Sequence, residues 1–285
     1  MQKFLTLLCC LLLWAAPCHA QVYVNQALPA DTRQEDILRL TVFRTGESDC
    51  MLLEAGGEAM MIDGGAKKWR DPLWNALTER GVSHVKYLFN THPHDDHIDG
   101  LYYMMQFGLK VDEFLSVFER DYNSKLQSRA VKEADAHGIP YRQLSSGDTL
   151  ALGGATLTVY RWDAAKDTNS ASALTRLEYG DCSALLCADI SGRAQRYFLG
   201  ALPPEALRAD VVKAPHHGIT PFVPEFLTAV DPAFVWITNY NDKTMSRIFH
   251  QLKGRSLPMY FSGEGTVILE SDGKDWYVRQ TEGQF

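Results

Sequence analysis

Thr91-His92-Pro93-His94-Asp95-Asp96-His97-Ile98-Asp99-Gly100 decides how the rest of this 285-residue chain is read. Ahead of it runs Val85-Lys86-Tyr87-Leu88-Phe89-Asn90, apolar and β-prone, which reads as a buried strand. Behind it Leu101, Tyr102, Met104, Met105 and Phe107 suit a helix with little exposed face. The imidazoles and carboxylates therefore fall where a strand hands over to a helix, the place at which open α/β sheets bind ligands. His92 and His94 are two apart, with Pro93 favouring extended backbone, so their rings point the same way. Asp96 and His97 come round the turn and offer a carboxylate and a third imidazole to the same space. This donor set suits a first-row divalent metal, zinc by default with manganese or iron compatible. Its density suits two adjacent divalent metal ions better than one.

His92-Pro93-His94-Asp95-Asp96-His97, with a strand before it and Gly100 after it, resembles the H-x-H-x-D-H signature of the metallo-β-lactamase fold superfamily. A second segment, Val211-Val212-Lys213-Ala214-Pro215-His216-His217-Gly218, again empties a short apolar strand into paired histidines and a glycine. It resembles the K-x-x-H-H-G motif of one subgroup, the ComEC-like domains attached to bacterial DNA-uptake channels. Its spacing from Asp189 and the Asn169-x-x-Ser172 segment resemble the same subgroup, and the likeness runs over residues of about 37 to 270. The resemblance implies an α/β fold, the four-layer αβ/βα sandwich, with the site at the edge between two sheets. It implies that Asp63, in Asp63-Gly64-Gly65, supports the site from behind the ligands, and that Asp189, ending the strand from Cys182, bridges the two metals. By the same pattern His217 is a ligand and His216 a neighbour touching metal or substrate. The arrangement expected is His92 and His94 on one ion, Asp96, His97 and His217 on the other, and Asp189 between. Asp96 and His216 are the expected catalytic side chains.

The chain also departs from its relatives. Many carry a further histidine between the first cluster and the bridging aspartate. The only one in that interval here is His137, on an expected helix, so the first ion is short of a ligand that Asn169 or Ser170 would fill weakly. Ile219 stands where the subgroup has Ser, and no His-Pro pair follows Thr238-Asn239-Tyr240-Asn241. Both differences bear on substrate handling. His84, His137 and His250 read as surface, capping or packing residues.

Around these motifs the chain alternates. Leu38, Leu40 and Val42, then Cys50 to Leu53, then Ala59 to Ile62 read as strands separated by Gly46 and Gly56-Gly57. Asp71-Pro72 opens a helix that Gly81 closes, and another is expected over 123–137 ending at Gly138. Gly153-Gly154 and Gly180-Asp181 turn two hairpins, with a polar loop over 163–172 facing the site. A helix over 222–230, a strand over 233–237, a helix over 244–252 and two short strands complete the pattern.

Residues 1–20 read as a signal peptide: Lys3, the apolar run Phe4 to Ala16, and Cys18-His19-Ala20, with Gln21 as mature start. Residues 21–35 are expected to be a loose arm and 36–285 the metallo-β-lactamase-type domain. The expected location is the periplasm or the medium, with no membrane attachment once the leader is cut. Without Lys3, 27 basic residues face 35 acidic ones, which speaks against a general nucleic-acid surface. Cys50, Cys182 and Cys187 remain after processing. One disulfide is permitted there, though Cys182 and Cys187 face opposite sides of one strand.

Two metal ions in such a pocket supply a bridging hydroxide for hydrolysis. The subgroup resemblance points to a phosphodiester or related phosphorylated substrate. The alternatives are a lactone, thioester or β-lactam hydrolase, and a relative that binds a ligand without chemistry.

Overall fold

The computed structural model describes residues 20–282 and 285, so the leader expected over 1–20 lies outside it except for Ala20. The first half of the chain runs β1 (Val22–Val24), β2 (Leu38–Val42), β3 (Cys50–Ala55), β4 (Glu58–Gly64) and α1 (Arg70–Glu79). It continues with β5 (His84–Asn90), α2 (Asp95–Gln106), β6 (Lys110–Ser116), α3 (Lys125–Ala136) and β7 (Tyr141–Gln143). The second half runs β8 (Thr149–Leu152), β9 (Ala155–Tyr160), β10 (Leu174–Tyr179), β11 (Cys182–Leu186), α4 (Gly192–Ala201) and α5 (Pro204–Leu207). Then come β12 (Val211–Lys213), α6 (Pro224–Val230), β13 (Phe234–Ile237), α7 (Ser246–Gly254) and β14 (Met259–Phe261), and finally β15 (Val267–Ser271) and β16 (Trp276–Gln280).

These strands make two sheets. One is ordered β1-β16-β15-β2-β3-β4-β5-β6-β7, the other β14-β13-β12-β11-β10-β9-β8. In each, an antiparallel part gives way to a parallel part, β4 to β7 in the first and β11 to β14 in the second.

The period-2 alternation of strand side chains sets the layers. In β13, Phe234 and Trp236 join the cluster between the sheets, while Val235 and Ile237 face the cluster with α4, α6 and α7. In β3, Met51 and Leu53 point between the sheets, and Cys50 and Leu52 point to the cluster that also holds side chains of α1, α2 and α3. Helix, sheet, sheet, helix is the four-layer order expected. Among the described residues no helix is long and apolar enough to cross a membrane.

Two expectations are corrected, and the state of the cysteines, which the sequence leaves open, is answered. The arm is tied down: β1 pairs in parallel with β16, placing Val22 beside Trp276. The helix expected from Asp71 begins at Arg70, continuing a 3-10 turn at Lys67–Trp69, so Asp71 lies in its first turn. The cysteines form no disulfide: all three are free and buried. Each lies in a different apolar cluster, Cys182 between the sheets and Cys187 and Cys50 outside one sheet each. Burial pushes the Cys182 and Cys187 thiols up to about 12 and the Cys50 thiol well up as well. The chain from Gln21 onward is therefore expected to show no thiol reactive toward a disulfide reagent while folded, and three in guanidinium. A titration in both conditions reads this directly.

Candidate metal centre

The carboxyl ends of parallel strands from both sheets meet at one place, as open α/β sheets favour. β4 carries Asp63 next to its last residue, β5 runs into Thr91 to His94, and α2 carries Asp96 and His97 in its first turn, where acids complement the helix dipole. From the second sheet, β11 leads to Asp189, β12 to His216 and His217, and β13 to Thr238. The loop before β3 adds Asp49. Asp63, Ala188, His216 and His217 all have positive φ, from 39° to 54°, conformations that non-glycine residues avoid. The surrounding structure holds this strain at the pocket, where it aims the side chains inward.

The rings are oriented from behind. The Nδ1 of His97 lies 2.7 Å from Asp63 Oδ2, and that carboxylate also accepts the Thr91 amide (2.8 Å) and hydroxyl (2.6 Å). The Thr91 hydroxyl, its proton given to Asp63, accepts from His92 Nδ1 at 3.2 Å. His217 Nδ1 donates to Thr238 Oγ1 at 3.0 Å, with Asp49 Oδ1 at 3.2 Å. With their Nδ1 protons engaged, His92, His97 and His217 turn the lone pairs of Nε2 into the pocket, the arrangement metal sites require.

Two donor groups result. Around Asp189 Oδ1 stand His97 Nε2 at 3.3 Å and His217 Nε2 at 3.5 Å, with Asp96 Oδ2 3.0 Å from His217 Nε2. Around Asp189 Oδ2 stand His92 Nε2 at 3.6 Å and His216 Nε2 at 3.6 Å, with His94 Nδ1 3.1 Å from His92 Nε2. The two oxygens of Asp189 thus face separate groups.

The donors fit divalent cations. The Nε2 atoms of His97 and His217 face each other at 3.3 Å, and two lone pairs at that distance repel unless a cation or proton intervenes. Asp189 Oδ1 is buried with no hydrogen-bond donor. Four carboxylates, Asp49, Asp63, Asp96 and Asp189, are opposed in the cluster by one fixed cation, Lys213. One divalent ion leaves this cluster anionic, whereas a pair leaves it one positive charge.

Asp49 comes near enough to be grouped with His97, Asp189 and His217 as a four-donor set. It meets both rings at Nδ1, however, 3.2 Å from His217 and 3.9 Å from His97. We therefore assign it to orientation rather than ligation.

All the expected side chains come together: His92, His94, Asp96, His97, Asp189 and His217, with Asp63 behind His97 and His216 beside Asp189. Of the two weak substitutes for the absent histidine, Ser170 stays away and Asn169 reaches the first group only through His216. Ser170 Oγ bonds Asp167 and Ser191, and Asn169 Nδ2 lies 3.3 Å from His216 Nε2. His216 itself flanks Asp189 Oδ2, with its side chain 29% exposed, and so stands on the open side of the first group. His84 and His137 pair with Asp112 and Glu133 at the surface. Asp49, Thr91 and Thr238 escaped the sequence reading because a loop aspartate and two strand-end threonines have no spacing signature. Lys213 did carry a signal, a charge inside an apolar strand.

Without metal the cluster holds protons. Burial would lower His97 and His217, but Asp189 with Asp63 or Asp49 raises both well above the usual imidazole value. Burial and the neighbouring His97 push His92 well down, and burial lowers His216. Burial works against ionisation of Asp96, yet His217 and His97 hold it down to about 2. The stabilisation from His97 and His217 is complete below about pH 6.5 and is lost as pH rises through their raised values. The neutral His92 and His216 cost stability once pH falls below about 6.5, where the unfolded chain takes up their protons. Chelator-treated protein is therefore expected to melt highest near pH 6.5. Because zinc replaces the protons on His97 and His217, it should raise Tm more at about pH 8.5 than at about pH 6.5. An equal gain at both pH values in a thermal-shift series contradicts this.

A family model described as the metallo-beta-lactamase superfamily matches residues 44–222. Among solved structures, the metallo-beta-lactamase fold protein YhfI from Bacillus subtilis aligns with a TM-score of 0.53 at 12% identity, over 82% of this chain and 99% of that one. Igni18, a metallo hydrolase from Ignicoccus hospitalis, aligns with a TM-score of 0.51 at 17% identity, over 81% and 98%. CmlA, a diiron beta-hydroxylase from Streptomyces venezuelae, aligns with a TM-score of 0.50 at 14% identity, over 81% of this chain and 53% of its own. The chain thus spans about half the length of CmlA. At these identities the likeness is one of fold. No curated protein matches.

Proposed function

The chain belongs to the metallo-beta-lactamase superfamily, and from that premise we propose that it is an exported, metal-dependent hydrolase of the ComEC-like kind, acting on a phosphodiester or related phosphorylated substrate. The single observation that carries the hydrolase reading is Asp189, whose two oxygens each face a separate set of imidazoles. His92 and His94, with His216 beside them, would hold one ion, and Asp96, His97 and His217 the other. Two divalent ions, zinc by preference, would bring the pKa of a shared water near neutrality and stabilise the charge that develops on the substrate.

The protein's own groups do the rest. Asp96, with its side chain 27% exposed, is the carboxylate on the open side and is placed to orient the attacking water as well as to bind metal. The departing alcohol takes up a proton from that water once the phosphorus–oxygen bond breaks. His216 keeps an Nε2 lone pair toward Asp189, because its Nδ1 faces Thr220 Oγ1 at 3.2 Å. It borders the substrate and steadies Asp189 or the first ion. The surplus positive charge left by two divalent ions favours an anionic substrate, and the His216-His217-Gly218 segment supports the ComEC-like assignment. Ile219, which stands where the subgroup has Ser, is exposed, so this departure presents apolar surface. Export rests on the leader pattern of residues 1–20.

Metal analysis of the chain from Gln21, followed by a substrate panel, tests this reading. We expect about two divalent ions per chain and turnover of bis(p-nitrophenyl) phosphate. His94→Ala should lose both metal and rate. Turnover of a lactone or a chromogenic cephalosporin instead would move the reaction to carbonyl carbon. Bound iron without hydrolysis would point instead to oxidative chemistry, as in the diiron beta-hydroxylase CmlA. Less than one ion per chain would make the protein a binding relative.

A further inference from the structure

We propose that Lys213 is the positioning residue of this centre: its ammonium holds His217 through Asp49, and the turns bearing Asp189 and His216 through their backbone carbonyls, in the arrangement that accepts two cations. The inference deepens the metal-site reading above and rests on it.

Lys213 lies in β12 with its side chain completely buried. Its Nζ is 2.8 Å from Asp49 Oδ2, 2.9 Å from the Ala188 carbonyl and 3.2 Å from the Ala214 carbonyl. Two of the ammonium protons go to the two carbonyls, and the Asp49 carboxylate balances the charge as an ion-pair partner. The partners belong to three different segments: the loop before β3, the turn that ends in Asp189 and the turn that begins His216-His217. One cation thus ties together the places from which both donor groups are delivered.

The link to His217 runs through the other oxygen of Asp49. Asp49 Oδ1 accepts the Thr238 hydroxyl at 2.6 Å and lies 3.2 Å from His217 Nδ1. The carboxylate keeps a proton on Nδ1 and so commits Nε2 to the pocket. Its neighbours Val211 and Val212 are buried without any charge, so packing alone does not call for an ammonium at this position. A buried charge is held only where it is fully paired. The turns that Lys213 joins are the strained ones, Ala188 at φ 39° and His216 and His217 at 48° and 51°. Lys213 does not face the open side of the pocket, so a role as acid or base toward substrate has no geometric support.

The test compares wild type, Lys213→Met, Asp49→Asn and the double variant by zinc affinity and by the visible spectrum of the cobalt(II)-loaded protein. We expect Lys213→Met to weaken zinc binding about 10–100-fold, as loss of an orienting partner does, and to change the cobalt bands. Since part of the effect of Lys213 runs through Asp49, the loss in the double variant should fall short of the product of the two single losses. Failure of Lys213→Met to fold, with the double variant folded, also supports the pairing. Wild-type affinity and spectrum in Lys213→Met overturn the proposal, as do losses that multiply in the double variant. So does collapse of both variants in a melting experiment, which would make Lys213 a structural strut. A wild-type chain that binds no metal sinks the functional reading as well, whereas one that binds two ions with or without Lys213 sinks only this inference.

Discussion

Asp189→Asn is expected to strip both metal ions from the protein and to lower hydrolysis at least about a thousandfold, with the fold retained. The side chain is almost isosteric, so packing around it changes little. What changes is charge and the number of acceptor oxygens. Asp189 presents Oδ1 to His97 and His217 and Oδ2 to His92 and His216, each at 3.3 to 3.6 Å. An amide keeps one oxygen, carries no charge, and turns N–H protons toward whichever pair of imidazoles it then faces. Both ions lose a ligand or gain a repelling group, and neither site is left complete. Elemental analysis and initial rates on the same sample, with far-UV circular dichroism to confirm the fold, decide the matter. Retention of both ions by Asp189→Asn would show that the carboxylate does not join the two groups.

The second large effect is expected from a residue that touches no metal. Gly100→Ala should destabilise the protein by about 3 kcal/mol or more, lowering Tm by roughly 6 to 12 °C. Here α2 lies against the end of β4 backbone to backbone. A Cβ on Gly100 would stand 1.8 Å from the Gly64 carbonyl oxygen and 2.4 Å from its carbon, where no side chain can move aside. The Gly100 amide donates to the Gly65 carbonyl at 2.8 Å, which fixes that approach. Relief requires the first turn of α2, with Asp96 and His97, to lift from the pocket, so metal affinity should fall with stability. Gly200→Ala is the control: its Cβ meets nothing within 4 Å near the end of α4, and it should gain up to about 0.5 kcal/mol. A Tm for Gly100→Ala equal to wild type would show that the two backbones are not locked together.

Much of this was legible in the sequence because the first cluster is local. His92, His94, Asp96 and His97 fall within six residues, and the strand and helix around them can be read from apolar pattern. Asp189 and His217 were legible only through resemblance, since a strand ending in Asp or a His-His-Gly turn has several physical explanations. Asp49 was not legible at all. It is a loop aspartate whose role arises from β13 and β12 arriving beside it, a long-range event with no local signature. Alternation located β15 and β16 as strands but carries no information on which sheet they join. The same holds for β1, whose three residues are too short for a periodic signal and which is ordered only because β16 is there to pair with it.

That last pair of strands has a consequence for how the molecule comes into being. β15 is wedged between β2 and β16, and Arg39 of β2 pairs with Glu270 of β15, 231 residues downstream. Until the ribosome has released β15, β2 has an open flank and the first sheet is unfinished. Loop closure on that scale makes for slow assembly. Shortening the carboxyl end by some twenty residues would be expected to yield an aggregating product rather than a smaller working one.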